Sequence, residues 1–242
     1  MPNHQVVSRE EWLAARKALL LREKEATRLR DAINAERLAL PWVKIEKAYR
    51  FATPSGEQSL ADLFAGRSQL IVYHFMLGPD WRAGCTGCSF LADHLDGALP
   101  HLEHHDVTLI AVSRAPLAKI EAYKHRMGWR FPWVSSFGSD FNSDFGVSFS
   151  KADLAKGSVF YNFREIAAAQ ANDELPGLSA FAKDEDGVYH TYSSYARGPE
   201  ELIGTLMILD RAPKGRNEKR TMDFVRRHDE YEDEPAAQAF RG

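Results

Sequence analysis

Cysteine is almost absent: the 242 residues contain two, Cys85 and Cys88, which excludes a framework of several disulfides as the source of stability. No apolar run approaches the roughly 20 residues a membrane-crossing helix needs. The strongest, Leu70-Ile71-Val72-Tyr73, is followed at once by His74. Charge of one sign is not in excess either. Lys and Arg number 31 against 34 Asp and Glu, a formal net charge of -3, so no global positive potential draws the chain to nucleic acid or to an anionic membrane, and neither partner is expected. The N-terminus lacks the basic, apolar and small-residue succession of a secretory signal, so the expected location is the cytoplasm.

Apolar residues make up 44% of the chain, with 14 Phe, 8 Tyr and 5 Trp, enough for one sizeable buried core with extensions. The first extension is a helix expected over 8–37. Ser8 and Glu11 form a capping box, helix formers dominate, and no Gly or Pro interrupts. Trp12, Leu19, Ala26 and Ile33 recur every seven residues, but Arg16, Glu23 and Arg30, or Arg22 and Glu36 in the other register, break the alternating seam. Docking on the parent domain is therefore expected ahead of self-association, with a homodimer as the alternative.

After Tyr49 the pattern changes. Buried strands are expected over 70–75 and 107–112, each continuously apolar as a sheet covered on both faces requires. Between them a loop, Gly78-Pro79-Asp80-Trp81-Arg82-Ala83-Gly84, delivers the cysteines to a helix that runs to about residue 97. A second helix follows Pro116 and is closed by Gly128. Strands over 178–181 and 188–192, separated by Lys183-Asp184-Glu185-Asp186-Gly187, read as a hairpin, and a last helix spans 199–209. The boundaries are thus a helical extension over 1–48, an α/β domain over 49–210, and a charged tail over 211–242.

Scattered at random, two cysteines would stand at the spacing of Cys85-Thr86-Gly87-Cys88 on the order of one time in a hundred, so the pairing has a cause. Following a buried strand and opening a helix, Cys85 meets unpaired amides and the positive end of the helix dipole. Both lower a thiol pKa from about 8.5 toward about 3.5 to 7.5. Cys85 is then the nucleophile, and Cys88, one turn on, resolves the mixed disulfide or sulfenic acid formed on it.

The order of a βα unit carrying the cysteines, a second βα unit and a closing hairpin with helix resembles the thioredoxin fold: a central mixed sheet flanked by helices. By that resemblance Pro176, in Leu175-Pro176-Gly177-Leu178, is the candidate for a cis-proline facing the cysteines, the alternative being an ordinary Pro-Gly turn. Over 37–215 the chain resembles, more specifically, a bacterial thioredoxin-like family catalogued as a domain of unknown function, number 899. The motifs that carry this include Tyr73-His74-Phe75-Met76, Gly78-Pro79-Asp80-Trp81, Phe131-Pro132-Trp133-Val134 and Pro213-Lys214-Gly215-Arg216.

The resemblance implies redox chemistry with no bound organic cofactor. A protein or a small-molecule disulfide or thiol would be the substrate, with a separate electron donor. Trp81 and Arg82 would control access and thiolate charge. Peroxiredoxins are more distantly similar, with Asp80-Trp81 in the place of their acidic-aromatic pair. Arg82, however, stands where they carry a hydroxyl three positions before the reactive cysteine, so thiol peroxidase activity is the second enzymatic reading. On the strand before the motif, where thioredoxins bury an acid, stands His74.

Other residues compete for attention. Cys85, Cys88 and His94, with His101, His104 and His105 behind, suggest a metal-binding or redox-sensing module, although the spacing matches no standard zinc motif. His190 is either a second neighbour of the cysteines or a satisfied strand histidine. Trp129, Phe131, Trp133 and Phe137 read as core before they read as a substrate groove. The run from Asp140 to Gly146 has its glycine and its twelfth residue, Lys151, wrong for a calcium loop.

Overall fold

The computed structural model describes residues 4–231, and the chain divides into two compact units, residues 1–42 and 43–242. The first is α1 (Arg9–Leu38). Its capping box forms as the sequence requires: the Glu11 amide donates to Ser8 Oγ at 3.2 Å and the Ser8 amide to the Glu11 carboxylate at 2.9 Å. None of its residues is buried, and Trp12, Leu19 and Ile33 stand exposed along it.

The second unit begins with β1 (Val43–Lys44) and a hairpin of β2 (Arg50–Thr53) and β3 (Gly56–Ser59) turning at Pro54-Ser55. Then come β4 (Gln69–His74), α2 (Thr86–Ala92), α3 (Leu99–His104), β5 (Val107–Ser113), α4 (Leu117–Arg126) and β6 (Trp133–Ser135). Two short helices, α5 (Phe141–Asp144) and α6 (Lys151–Leu154), lead to a separate hairpin of β7 (Ser158–Tyr161) and β8 (Arg164–Ala167). The long strands β9 (Gly177–Asp184) and β10 (Gly187–Tyr195) and the helix α7 (Gly204–Leu209) follow.

One sheet has the order β1-β10-β9-β4-β5-β6-β2-β3. β4, β5 and β6 run parallel, as strands joined by helical crossovers do, while β9 lies antiparallel against β4 and carries β10 outside it. Two parallel strands with a terminal antiparallel hairpin beside the first, and the cysteine helix between them, is the thioredoxin-like arrangement. The β7–β8 hairpin had no sequence signal because its turn residues, Asn162 and Phe163, both adopt left-handed φ (52° and 61°) without the glycine that usually advertises such a turn. The helix expected over 199–209 breaks at Ile203, which is buried at φ -90°, ψ 85° between a 3-10 turn and α7.

Alternation along β4 divides the interior in two. Tyr73 and Phe75 join Cys88, Leu91, Ile120 and Trp133 in one cluster, whereas Leu70 and Val72 join Phe51, Ile110 and Phe181 in the other. His74, 1% exposed, points into the second. Its ring lies 5.6 Å from that of Phe141 and 5.7 Å from that of Phe145. His190 is in the same layer, 5.2 Å from the Phe145 ring, so it is a satisfied strand histidine and not a neighbour of the cysteines.

A directed chain joins these imidazoles. The Tyr192 carbonyl only accepts, so His190 Nε2 donates to it at 3.0 Å and shares its proton with Ser193 Oγ at 2.7 Å. Ser193 then donates to Ser179 Oγ (2.8 Å), and Ser179 to His74 Nε2 (2.8 Å). The His74 proton is left on Nδ1, which has no partner among the described residues. Burial, and secondarily the His190 ring, hold the His74 pKa down at about 3.

Above pH ~6.5 the histidine is neutral in folded and unfolded chains alike and costs nothing. As the pH falls from there toward 3, the unfolded chain takes up a proton that folded His74 refuses, so stability is lost across that window. The loss from this group alone is about 2 kcal/mol at pH 5 by linkage, and His190, also lowered by burial, adds to it. Urea unfolding at pH 8 and pH 5 checks this: the loss should shrink in His74→Phe, which keeps the ring stack. An unchanged loss in the variant would place the acid sensitivity elsewhere.

Candidate functional site

The loop after β4 brings the chain back across the first cluster and ends at Cys85, whose amide donates to the Met76 carbonyl at 3.0 Å. Cys85 is the N-cap of α2, so its sulfur stands beside the first free amides of the helix. The turn fits only because residue 84 is glycine: a Cβ there would lie 2.6 Å from a Phe75 ring atom and 2.7 Å from one of Tyr123. Those two rings belong to an aromatic floor in which Phe75 sits 4.4 Å from Trp133 and 5.9 Å from Trp129, centroid to centroid. Trp129, Phe131 and Trp133 are therefore core, and Phe137, from the same sequence cluster, is 60% exposed.

Both cysteines are free thiols, Cys85 half-buried and Cys88 buried, and they titrate in opposite directions. A hydrogen bond from the Cys88 thiol draws the Cys85 pKa down to about 6. Burial opposes this, and the amides of Cys88 and Gly87 and the charge of Arg227 assist it. Burial pushes Cys88 well above the ordinary thiol range, as does its role as donor to Cys85. The Tyr73 phenol and the Met76 amide act the other way.

Arg227 lies in the charged segment that the sequence reads as a surface tail. Its Nη2 and Nε donate to the Gly84 carbonyl at 2.7 and 3.2 Å, and Nε also reaches the Tyr123 hydroxyl at 3.0 Å. Tyr123 then donates to Ser89 Oγ (2.9 Å) and Ser89 to the Cys85 carbonyl (2.9 Å), a relay ending on the turn that holds the thiol. Around Arg227 the segment is anchored by Val225, buried with Cys88, by Phe224 edge-on to Phe90, and by an Arg126 fork on Asp229 at 2.7 and 3.0 Å. A Cβ at Gly87 would stand 3.7 Å from Met222 Sδ and 4.0 Å from Cys85 Sγ, so Met222 flanks the mouth of the site. Residues 211–231 are thus packed structure, and the remainder of the expected tail, 232–242, lies outside the described residues. The available signal was Met222, Phe224 and Val225, three apolar residues inside a run of charge.

The other expected residues fall as follows. Arg82 is exposed, and the guanidinium acting on Cys85 is that of Arg227. Trp81 is half-buried against the same cluster, its Nε1 donating to Asp173 at 2.9 Å and its carbonyl accepting from Lys119 at 3.1 Å. The peptide bond before Pro176 is trans, and the residue is neither cis nor in a tight turn. The reason is tertiary. The Leu175 amide bonds the Val147 carbonyl at 2.8 Å and the Phe149 amide bonds the Asp173 carbonyl at 2.9 Å, holding the chain extended into β9. The Pro176 carbonyl accepts from the Tyr161 hydroxyl at 2.7 Å.

His94 is turned away from the sulfurs. Nε2 accepts from the Thr205 amide (3.1 Å) and hydroxyl (2.9 Å), and Nδ1 donates to the Phe90 carbonyl (2.8 Å), which leaves no lone pair for a metal. His101, His104 and His105 are exposed along and after α3. Among the described residues no group of three or more His, Cys, Asp or Glu is placed to hold a metal ion, and no helix is long and apolar enough to cross a membrane.

No curated protein matches the sequence. Among solved structures the chain is similar to peroxidoxin BcpB from Mycobacterium tuberculosis, at 10% identity and a TM-score of 0.46 over 70% of this chain and 97% of that one. It is also similar to a cysteine-to-serine mutant of Xylella fastidiosa PrxQ (16% identity, TM-score 0.43, 66% and 88%). A third is a putative protein disulfide isomerase from Bacteroides thetaiotaomicron (16%, 0.40, 74% and 94%). The sequence profile of one family, described as bacterial protein of unknown function, matches residues 1–231, and with nearly the whole length covered the chain belongs to that family, DUF899.

Proposed function

We propose that this protein is a thiol-disulfide oxidoreductase in which Cys85 attacks and Cys88 resolves. The observation that carries the reading is the placement of two free thiols at the start of α2, Cys85 half-buried at its N-cap and Cys88 buried one turn in, which draws the Cys85 pKa down to about 6 and lets burial push that of Cys88 up. At neutral pH Cys85 is then a thiolate. It attacks a substrate disulfide R–S–S–R′ to give Cys85–S–S–R and release R′S⁻. Cys88 loses its proton and attacks the Cys85 sulfur, giving the Cys85–Cys88 disulfide and RS⁻; two electrons have passed from the dithiol to the substrate. A donor dithiol returns the pair to the reduced state by the reverse steps. The buried position of Cys88 confines intermolecular attack to Cys85, and Trp81 and Met222 flank the approach.

Cys85→Ser should abolish turnover of a disulfide substrate, whereas Cys88→Ser should retain the first step and accumulate a mixed disulfide visible by intact mass. Equal activity in the two variants would overturn the division of labour. Titration of the wild-type protein against thiol-disulfide buffers, with alkylation and mass measurement, should show one two-electron transition between about -120 and -270 mV.

The pH dependence follows from the groups around Cys85. Its alkylation rate should rise through a midpoint near pH 6. Cys88→Ala removes the strongest donor and should move the midpoint up most. Arg227→Gln should move it up by a few tenths to about one unit, and Arg82→Gln should leave it in place. A midpoint that responds to Arg82 and ignores Arg227 would reverse the assignment of the charge.

A further inference from the structure

We propose that Met222 is a specificity-determining residue of the exchange reaction: its thioether stands across Gly87 from the Cys85 sulfur and confines the site to disulfides of low molecular weight. The inference rests on the thiol-exchange reading above and names its class of substrate. The first attack brings a disulfide sulfur onto Cys85, so whatever borders that sulfur decides which R groups can follow it in.

Gly87 lies on the first turn of α2 and is half-buried. A Cβ built on it would lie 3.7 Å from Met222 Sδ and 4.0 Å from Cys85 Sγ, both ordinary van der Waals distances. The missing side chain therefore leaves a space of about one methyl group between a thioether and the nucleophile. The first carbon of a bound disulfide fits there. A thioether suits this border, since it is polarisable, uncharged and able to adapt to an aliphatic stem.

Met222 is held in place against its own backbone preference. Its φ is 61°, the left-handed region that a residue with a side chain rarely adopts. The turn that imposes this is tied on both sides. The Met222 amide donates to the Glu218 carboxylate at 2.7 Å, and the Val225 amide returns to the Met222 carbonyl at 3.1 Å. The Asp223 carboxylate accepts from the Lys219 and Arg220 amides at 3.0 and 3.1 Å. Strain retained in this way points to a residue whose position matters for function.

Beyond the turn the chain runs beside the cysteines. Phe224 meets Phe90 edge-on at 6.2 Å, and Arg227 ends on the Gly84 carbonyl, so residues 222–227 border 84–90 as a fixed rim. Cys85 is half-buried behind it. A disulfide carried on short, flexible thiols passes such a rim, whereas one anchored in a folded protein must bring its neighbouring backbone up against it. The exchange itself is unchanged: the Cys85 thiolate bonds to one sulfur of R–S–S–R′, R′S⁻ departs, and Met222 takes no part in bond making.

Single-turnover oxidation of the reduced protein reads this out. Excess hydroxyethyl disulfide is the small probe and insulin the protein probe, with formation of the Cys85–Cys88 disulfide followed by acid quench, alkylation and intact mass. Wild type should favour the small disulfide by at least about tenfold. Met222→Gly, which removes the thioether and relieves the left-handed φ, should shrink that preference about tenfold, and Met222→Leu, which restores the bulk, should keep it. Gly87→Ala, whose methyl fills the space and suits a helix, should slow the small disulfide about tenfold. None of these substitutions alters a charge, so the pH midpoint of Cys85 alkylation should stay near 6, which separates a lost wall from a disturbed thiolate. A preference within twofold of wild type in Met222→Gly, or a wild type that favours insulin, overturns the role of Met222 and leaves the exchange reading standing. If reduced wild type is oxidised by neither disulfide, the exchange reading itself fails and the assignment of Met222 fails with it.

Discussion

A negative charge on a half-buried sulfur is the constraint around which this site is built. Withdrawing a thiolate from water is opposed by several kcal/mol unless donors replace the lost hydration. At Cys85 the replacement is local: the Cys88 thiol, two amides at the start of α2, and the Arg227 charge. The first three come with the helix turn itself. The fourth comes from more than a hundred residues away in sequence and reaches the turn through the Gly84 carbonyl and the Tyr123–Ser89 relay. A site assembled this way needs the C-terminal segment in place, and the aromatic contact of Phe224 with Phe90 and the fork of Arg126 on Asp229 hold it there.

The aromatic floor explains why the turn can be so tight. Phe75, Tyr123, Trp129 and Trp133 pack at centroid distances of 4.4 to 6.3 Å, edge-on or tilted, and such a surface does not yield to an added methyl group. Gly84 is the place where backbone meets that surface. Trp129 also donates through Nε1 to Asp93 at 2.8 Å, and Asp93 in turn contacts His228 at 2.6 Å. The floor, the end of α2 and the C-terminal segment are thereby one connected unit.

How much of this was legible in the sequence depended on how local its cause is. The cysteine spacing, the continuous apolar strands 70–75 and 107–112, the Pro116 helix start and the acidic hairpin turn before Gly187 are nearest-neighbour signals, and each appears within a residue or two of its expected place. The path of the chain through Pro176 is set by bonds of Leu175 to Val147 and of Phe149 to Asp173, between segments about 25 residues apart, which no local pattern reports. Arg82 and Arg227 look alike in the sequence. Only the tertiary path of residues 211–231 decides which guanidinium stands over the thiol, and that path is set by three apolar residues hidden among charges. His94 shows the converse: close in sequence to both cysteines, it is oriented by Phe90 and Thr205 toward α7.

The sharpest case is a pair of adjacent residues. Tyr73 and His74 stand at the end of β4, and an imidazole is the more reactive-looking of the two by its ordinary pKa. The two-residue period of a strand must nevertheless send them to opposite faces. The histidine therefore enters an apolar layer where it stays neutral, bonded to Ser179 and packed against the rings of Phe141 and Phe145. The tyrosine enters the buried cluster that holds Cys88, Leu91 and Trp133. A buried imidazole in that position would gain a charge on accepting the Cys88 proton and would leave an ion pair in the core, with desolvation opposing both partners. A phenol held neutral by burial adds no second charge beside the buried thiol. The strand alternation that forms the two cores thus also fixes which of the two side chains shares the layer of the cysteines.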